Sequence, residues 1–342
     1  MGLPEVVITF QEESVTFIHR LGRGVVAIPV ISDGAATAVV TATSKAAVET
    51  DNEVLKSLMT AALEGGASKA IGILAKDAAS AEAALAGQRF NWVAIGELKD
   101  ADQTALASWA KGIDYRAGRS FIVVGGDALA TAKDAHVVAM DKKDVSAAKA
   151  STAYLAGVLA GCGDRSGTFY VVDTETDGTG YADRAQAEAA TDAGKICIFY
   201  DGEKAKIGRA VTTVYAQDKT TAFAKVRAVD SMNTIEDDIR ASFEDDYAGR
   251  VLNSYDNKMN FVGLVNNVYL KGLEGSILDP DGENAVDIDV AKHEALAREA
   301  GEDVSKMTTA DLRKYPTGES VYLAGSLRLL DTMEDLTIKF VI

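Results

Sequence analysis

Residues 68–95 decide the fold, reading SKAIGIL at 68–74, DAASAEAALA at 77–86 and FNWVAI at 90–95. The first and third segments are short and apolar, which is typical of buried strands. The middle segment is rich in alanine, which favours a helix. Because strands that alternate with helices form parallel sheets, this stretch predicts an α/β unit.

The same alternation continues on both sides of this stretch. Residues 24–31 (GVVAIPVI) predict another strand, and Pro29 in it indicates a sheet edge or a bulge because proline has no N–H to donate. Downstream we expect one helix and two strands, over residues 100–112, 120–124 and 136–140. The sequence thus predicts an α/β unit over about 24–145, with a mixed sheet and flanking helices.

Both ends of the chain show apolar residues at every second position. These residues are Val6, Ile8 and Phe10 near the start, and Leu336, Ile338, Phe340 and Ile342 near the end. Such a segment must bury its apolar face and pair its backbone groups. It can do so by closing its own sheet, or by adding a strand to a neighbouring chain. The residues alone leave both alternatives open.

Charge and composition limit which partners the chain can bind and where it can be located. The chain has 51 acidic and 35 basic residues among 342, giving a net charge of −16. Nucleic-acid binding needs clustered Lys and Arg, and anionic lipid surfaces repel an acidic chain. The longest apolar stretch, near residues 154–162, is too short to cross a membrane, and no targeting segment is recognisable. We therefore expect no nucleic-acid partner, no membrane insertion and synthesis in a cytoplasm.

The two cysteines, Cys162 and Cys197, lie far apart in the sequence. This excludes a disulfide scaffold and a structural zinc site, and it favours two buried thiols in a reducing compartment. Residues 173–178 (DTETDG) resemble the start of a calcium loop, but the twelfth position holds Arg184 in place of the bidentate Glu that such a loop needs. We therefore predict a solvated acidic turn and no metal site.

No motif predicts a catalytic or cofactor site. Glycines at 22–24 and 124–127 complete neither GxGxxG nor a P-loop, so they are interpreted as turn residues. His19, His136 and His293 are far apart and lack metal-ligand spacing. One acidic cluster remains, which we interpret as a solvated or interface face of a long polar helix at about 221–247: Glu236, Asp237, Asp238, Glu244, Asp245 and Asp246.

Several stretches, in the same order along the chain, resemble contractile tail sheath proteins, especially those of myophage-like prophages and R-type bacteriocin particles. The strongest match is DYAGRVLNSYDNK at 246–258. The others are GLPEVVITF at 2–10, RGVVA at 23–27, LAGVLAG at 155–161, KIGRAVTT at 206–213, TGESVYL at 317–323 and LDTMEDL at 330–336. Ala210 stands where the family usually has Gly. The resemblance covers both ends and the region from about 150 onward.

The resemblance implies a structural subunit that assembles with itself as stacked hexameric rings around an inner tail tube. It implies an N-terminal arm at 1–20, a body at 21–330 whose sheath-like region is about 146–330, and a C-terminal arm at 331–342, with both arms exchanging strands between subunits. Baseplate and tail terminator proteins would be further partners. The sheath would contract without nucleotide or cofactor, and it would move from the bacterial cytoplasm to the tail of a finished particle.

Two other functions remain open from the sequence. An α/β enzyme or small-molecule-binding protein could use the unit at 24–145, with a pocket at the carboxyl ends of the parallel strands. The second open hypothesis is a non-contractile capsid or tube protein.

Overall fold

A computed structural model describes residues 18–112, 120–126, 129, 131–141, 151–163, 165–173 and 180–341. The chain divides into two compact units. Unit 1 comprises the residues up to Arg20 and Asp238–Leu330, and unit 2 comprises Leu21–Asp237 and the residues from Asp331 onward. The chain therefore enters unit 2 twice and unit 1 twice, and each unit is described separately below.

Strands and helices of unit 2 follow one another along the chain. The strands are β1 (Val25–Ile31), β2 (Ala38–Ala42), β3 (Lys69–Ala75), β4 (Trp92–Ala94), β5 (Phe121–Gly125), β6 (Val137–Met140), β7 (Val171–Asp173), β8 (Lys195–Ile196), β9 (Ile198–Tyr200) and β10 (Ala205–Ile207). The helices are α1 (Glu53–Gly65), α2 (Ala78–Leu85), α3 (Asp100–Lys111), α4 (Thr152–Gly161), α5 (Arg184–Asp192) and α6 (Val226–Ser242), of which α6 continues into unit 1.

A seven-stranded sheet with the order β2-β3-β1-β4-β5-β6-β8 forms the centre of unit 2. β2 is antiparallel to β3, and the other neighbouring strands are parallel. Helices connect β3 to β4 and β4 to β5, as the alternation in the sequence predicts. The predicted mixed sheet with flanking helices is therefore confirmed.

Side chains alternate between the two faces of this sheet, because successive residues of a strand point in opposite directions. On one face Val26 and Ile28 of β1 belong to the same buried cluster as residues of α1 and α4. On the other face Ala27 belongs to a cluster with residues of α2 and α3. Trp92 and Phe121 stack at 4.2 Å between ring centroids in the first cluster. Both faces are thus buried, which explains why the strands are apolar throughout.

Pro29 does not lie at a sheet edge, so that expectation is wrong. β1 runs between β3 and β4, and Pro29 is opposite Ile73 of β3. The pairing of β1 with β4 covers only Val26 and Ala27. Pro29 therefore lies past the end of the β4 ladder, where a strand can tolerate the missing N–H.

Helices α1 and α4 approach so closely that glycine is required at their contact. A Cβ atom on Gly157 would lie 2.1 Å from the carbonyl oxygen of Ala62, and one on Gly65 would lie 2.5 Å from that of Tyr154. Both obstacles are backbone atoms, which cannot move aside as a flexible side chain would. The stretch LAGVLAG at 155–161 is therefore explained by backbone contact between two helices.

Asp201-Gly202 forms the turn of a β-hairpin: β9 and β10 pair antiparallel, and β7 adds a third strand to them. A side-chain oxygen of Asp201 accepts hydrogen bonds from the N–H groups of Glu203 and Lys204, which fixes the turn.

The two cysteines differ in burial. Cys197 is buried beside α5 and Cys162 is half-buried, and burial raises the pKa of both thiols.

Unit 1 is built from helices and one two-stranded sheet. Its elements are the end of α6, π-helical segments at Phe243–Tyr247 and Val265–Leu270, α7 (Tyr255–Leu264), β11 (Ala285–Ile288), α8 (Val290–Glu299), α9 (Thr309–Arg313) and β12 (Leu323–Ser326). β11 and β12 pair antiparallel. The predicted long helix therefore ends its α-helical course at Ser242 and turns through a π-helical segment.

Candidate assembly surface

The C-terminal arm begins on unit 2, where three of its acidic residues meet basic residues. Lys225 pairs with Asp331, and Arg209 holds Asp335 through two contacts of 2.7 and 2.8 Å from one guanidinium nitrogen. The hydrogen bonds from Arg209 hold the pKa of the Asp335 carboxyl below its usual range. Arg209 belongs to the stretch at 206–213 that resembles tail sheath proteins.

Glu334 is the most enclosed acidic residue of this attachment. Its Oε1 lies 3.0 Å from Oγ of Ser166 and 2.9 Å from Oγ1 of Thr168, and its Oε2 lies 3.4 Å from Arg209. Thr168 is itself fixed, because its hydroxyl oxygen accepts a hydrogen bond from the N–H of Ala210. We call Ser166, Thr168, Arg209 and Lys225 the C-terminal anchor.

Beyond the anchor, the alternating apolar residues of the arm face solvent. Leu336 is 83% exposed, Ile338 60% and Phe340 82%. Residues 331–341 form neither a helix nor a strand within this chain. Of the two alternatives for this arm, closure of the chain's own sheet is therefore not what the structure shows for 331–341. Ile342 lies outside the described residues.

The N-terminal arm joins unit 1. Ile18 is buried, the backbone N–H of His19 donates to Oγ of Ser242 at 2.7 Å, and the guanidinium of Arg20 lies 4.8 Å from the ring centre of Tyr269. Val6, Ile8 and Phe10 lie outside the described residues, so their role stays a prediction. The structure thus shows only where this arm is attached.

The acidic cluster of the long helix is not a uniformly solvated face. Glu236, Glu244 and Asp245 are exposed, as predicted, but Asp237 and Asp238 are buried. For these two residues the prediction is wrong, because each has a partner that is remote in sequence.

In unit 2 the guanidinium of Arg23 lies 2.6 Å from Asp237 and 2.8 Å from Asp230. Burial raises the pKa of Asp237, although the Arg23 charge opposes that shift. In unit 1 the hydroxyl of Tyr269 donates to Asp238 at 2.9 Å. Both buried carboxylates therefore form tertiary contacts that stabilise their own unit. The periodicity of α6 alone could not predict these contacts.

A cavity of about 430 Å³ lies at the carboxyl ends of β1, β3 and β4, where an α/β enzyme would bind its ligand. Its lining consists of Ile31, Asp33, Lys76, Asp77, Glu97, Leu98, Lys99 and Asp102. The polar groups are largely used for structure: Asp77 caps α2, and Glu97 accepts hydrogen bonds from the N–H and hydroxyl of Thr152 at 2.8 and 2.6 Å. Four carboxylates against two lysines also disfavour a phosphate ligand.

The three histidines have separate structural partners. Nε2 of His136 lies 3.0 Å from Asn233, Nδ1 of His293 lies 2.9 Å from the carbonyl oxygen of Leu312, and His19 lies beside Asp246. Within the described ranges, no group of three His, Cys, Asp or Glu residues could hold a metal ion. The acidic turn at 174–178 lies outside those ranges.

Comparison with known proteins shows which proteins this chain is similar to. No protein-family model matches the chain. Over 99% of both sequences it is 25% identical to the tail sheath protein of Clostridium phage phiCD119. The resemblance to contractile tail sheath proteins is thereby confirmed.

Solved structures agree on the fold. The contracted helical sheath of the anti-feeding prophage matches with a TM-score of 0.69 at 12% identity, covering 100% of this chain and 99% of that one. The sheath tail protein of Desulfitobacterium hafniense matches with a TM-score of 0.62 at 17% identity, covering 83% of this chain and 94% of that one.

Among the helices of the described residues, none combines the length and the apolar character that a membrane crossing needs.

Proposed function

We propose that this chain is the structural subunit of a contractile tail sheath that assembles as stacked hexameric rings around an inner tube. The observation that carries the proposal is the similarity to a phage tail sheath protein over 99% of both chains. The fold shared with a contracted helical sheath supports it. Contraction triggered at a baseplate would push the tube through a target envelope.

The C-terminal arm supports self-assembly through its chemistry. Leu336, Ile338 and Phe340 lie in water although each would gain roughly 1.5–3 kcal/mol from full burial. Part of that gain would be lost in ordering the arm on a partner. We propose that the arm adds a strand to a sheet of a neighbouring subunit, so that main-chain hydrogen bonds hold it and the apolar face sets its register.

The N-terminal arm is proposed to act in the same way, through Val6, Ile8 and Phe10. The two arms belong to different units, since the N-terminal arm joins unit 1 and the C-terminal arm joins unit 2. Joints at both ends would keep subunits linked while their bodies rotate during contraction.

The remaining partners and the location follow from the same proposal. The subunit would contact the inner tail tube, the baseplate and a tail terminator, and it would use no nucleotide or cofactor. It would accumulate in the bacterial cytoplasm and then remain in the tail of the particle. We propose that it is not an enzyme; contraction blocked by a non-hydrolysable nucleotide analogue would contradict this.

Electron microscopy of the purified full chain tests the proposal, because a sheath forms striated cylinders. Deleting residues 336–342 should leave a folded, soluble protein that forms no cylinders. A finer variant replaces Leu336, Ile338 and Phe340 by Ser, and its matched control replaces the intervening Thr337 and Lys339 by Ala. We expect only the first variant to lose assembly, because the apolar face alone gains from burial.

Two results would contradict the proposed strand donation by the C-terminal arm. Long cylinders built by the deletion variant would exclude strand donation by these residues. A deletion variant that does not fold would show that the arm belongs to the core of its own subunit.

A further inference from the structure

A cavity of about 250 Å³ in unit 1 has an apolar wall and a buried cation. The wall is aromatic: Tyr247 packs edge-on against Phe261 at 4.7 Å between ring centroids, and Phe243 does so at 5.6 Å. Leu252, also on the lining, is 83% exposed. The cation is Lys258, on the same lining.

Local structure fixes the position of Lys258. Ser254 caps α7 by accepting the N–H of Asn257, and the N–H of Lys258 donates to the carbonyl oxygen of Ser254. Lys258 therefore lies in the first turn of α7, one turn before Phe261 on the same face. A cation in the first turn also lies at the unfavourable end of the helix dipole. The stretch at 246–258 thus places a lysine where neither burial nor the helix favours its charge.

Among the described residues, Lys258 has a neutral hydrogen-bond partner and no carboxylate partner. It is only 6% exposed, and its Nζ donates to Oγ1 of Thr317 at 2.9 Å. Thr317 in turn donates its own proton to the carbonyl oxygen of Ser320. An ammonium group has three protons to donate, and within the described part of the chain none reaches an acidic side chain at ion-pair distance. Burial lowers the pKa of Lys258, in agreement with a charge that lacks a counter-ion.

We propose that this cavity receives a carboxylate side chain from a second copy of the chain, which pairs with Lys258 when the subunits assemble. The inference rests on the proposed function and names the chemistry of one of its contacts. The surface of a second copy is a suitable source, since the chain has 51 acidic residues against 35 basic ones. The aromatic wall and Leu252 exclude water around such a pair, which strengthens it.

Glu319 is the competing carboxylate within the same chain. It also lies on the lining of the cavity but is exposed, and it forms none of the ion pairs found among the residues that the structure describes. An experiment must therefore distinguish pairing within one chain from pairing between chains.

Zero-length cross-linking with a carbodiimide makes that distinction. The reagent joins an amine to a carboxylate as an amide with loss of water, so only groups in contact react. The full chain is prepared with ¹⁴N and with ¹⁵N, mixed and assembled, and linked peptides are identified by mass spectrometry. We expect linked pairs of mixed label that contain Lys258 in the assembled sample and none in the dissociated sample. Lys258 that stays unlinked, or that links only to Glu319 with matching label, overturns the inference.

Substitution gives an independent measurement. Lys258→Met keeps the length of the side chain and removes its charge, and Lys306→Met is the matched control on an exposed lysine of unit 1. We expect Lys258→Met to unfold at no lower denaturant concentration than the wild type, yet to need about tenfold more protein to assemble. Assembly at the wild-type concentration, as expected for Lys306→Met, overturns the inference.

The two proposals fail separately. A wild-type chain that forms other oligomers but no cylinders overturns the sheath function, and the cross-link at Lys258 then decides the present inference alone. A wild type that remains monomeric at every concentration overturns both.

Discussion

The contact between α1 and α4 gives the sharpest stability prediction. In Gly157→Ala, the new Cβ would lie 2.1 Å from the carbonyl oxygen of Ala62, whereas ordinary contacts begin near 3.4 Å. It would also lie 2.8 and 2.9 Å from two further backbone atoms of Ala62. The helices must therefore separate by about 1 Å in a closely packed interior. Overpacking of this kind costs about 3 kcal/mol, and the better helix propensity of Ala returns about 1 kcal/mol.

We therefore expect Gly157→Ala to lower the free energy of unfolding of unit 2 by about 2 kcal/mol, which moves the urea midpoint by roughly 1 M. Tryptophan fluorescence measures this directly, because Trp92 and Trp109 both belong to unit 2. Gly87→Ala is the matched control: its Cβ would meet nothing closer than 4.0 Å, so it should be neutral or slightly stabilising. Equal stability of the two variants would refute the packing argument.

Three further predictions concern charged groups. Arg23→Met should destabilise unit 2 by about 3–5 kcal/mol in urea titrations, because it leaves the buried Asp237 carboxylate without this partner, and adding Asp237→Leu should recover most of the loss. The pKa of Asp335, followed by carbon NMR, should lie below the usual Asp value and rise in Arg209→Met. Because the pKa of Asp335 is depressed in the folded state, this pair stabilises the fold fully above the pKa of the unfolded state. That stabilisation disappears as the pH falls through the pKa of the folded state. Thermal midpoints measured with calcium and with a chelator should coincide, since residue 184 is Arg, and a shift of many degrees would contradict a metal-free turn at 173–178.

Much of the fold could be predicted because local patterns determine it. The strand and helix alternation over 68–95 predicts β3, α2 and β4, and the Asp201-Gly202 pair predicts the hairpin. These elements have clear periodicity or turn chemistry within a few residues. The sequence does not predict β2 (Ala38–Ala42), because it is an edge strand with a mostly exposed, weakly alternating sequence.

Features that depend on distant residues could not be predicted. In the sequence Asp237 is one of several helical carboxylates, and no local pattern indicates that Arg23, far away in sequence, lies beside it. The C-terminal anchor joins Arg209 to Asp335 across 126 residues, with no motif to indicate the pairing. The alternation of apolar residues from Leu336 to Phe340 predicts an apolar face, but periodicity does not say whether the partner of that face is the same chain or another.

The two thiols, one buried and one half-buried, have a consequence for a particle that leaves the cell. A sheath released by its host meets oxygen, and thiolate is the form of cysteine that oxidises or exchanges with disulfides. Burial raises the pKa of Cys162 and Cys197, which disfavours the thiolate form of both. In a sheath joined by the proposed strands and ion pairs, the subunits would then need no reductant to remain free of covalent links. Such a tail could wait outside the cell, under aerobic conditions, with its ability to contract intact.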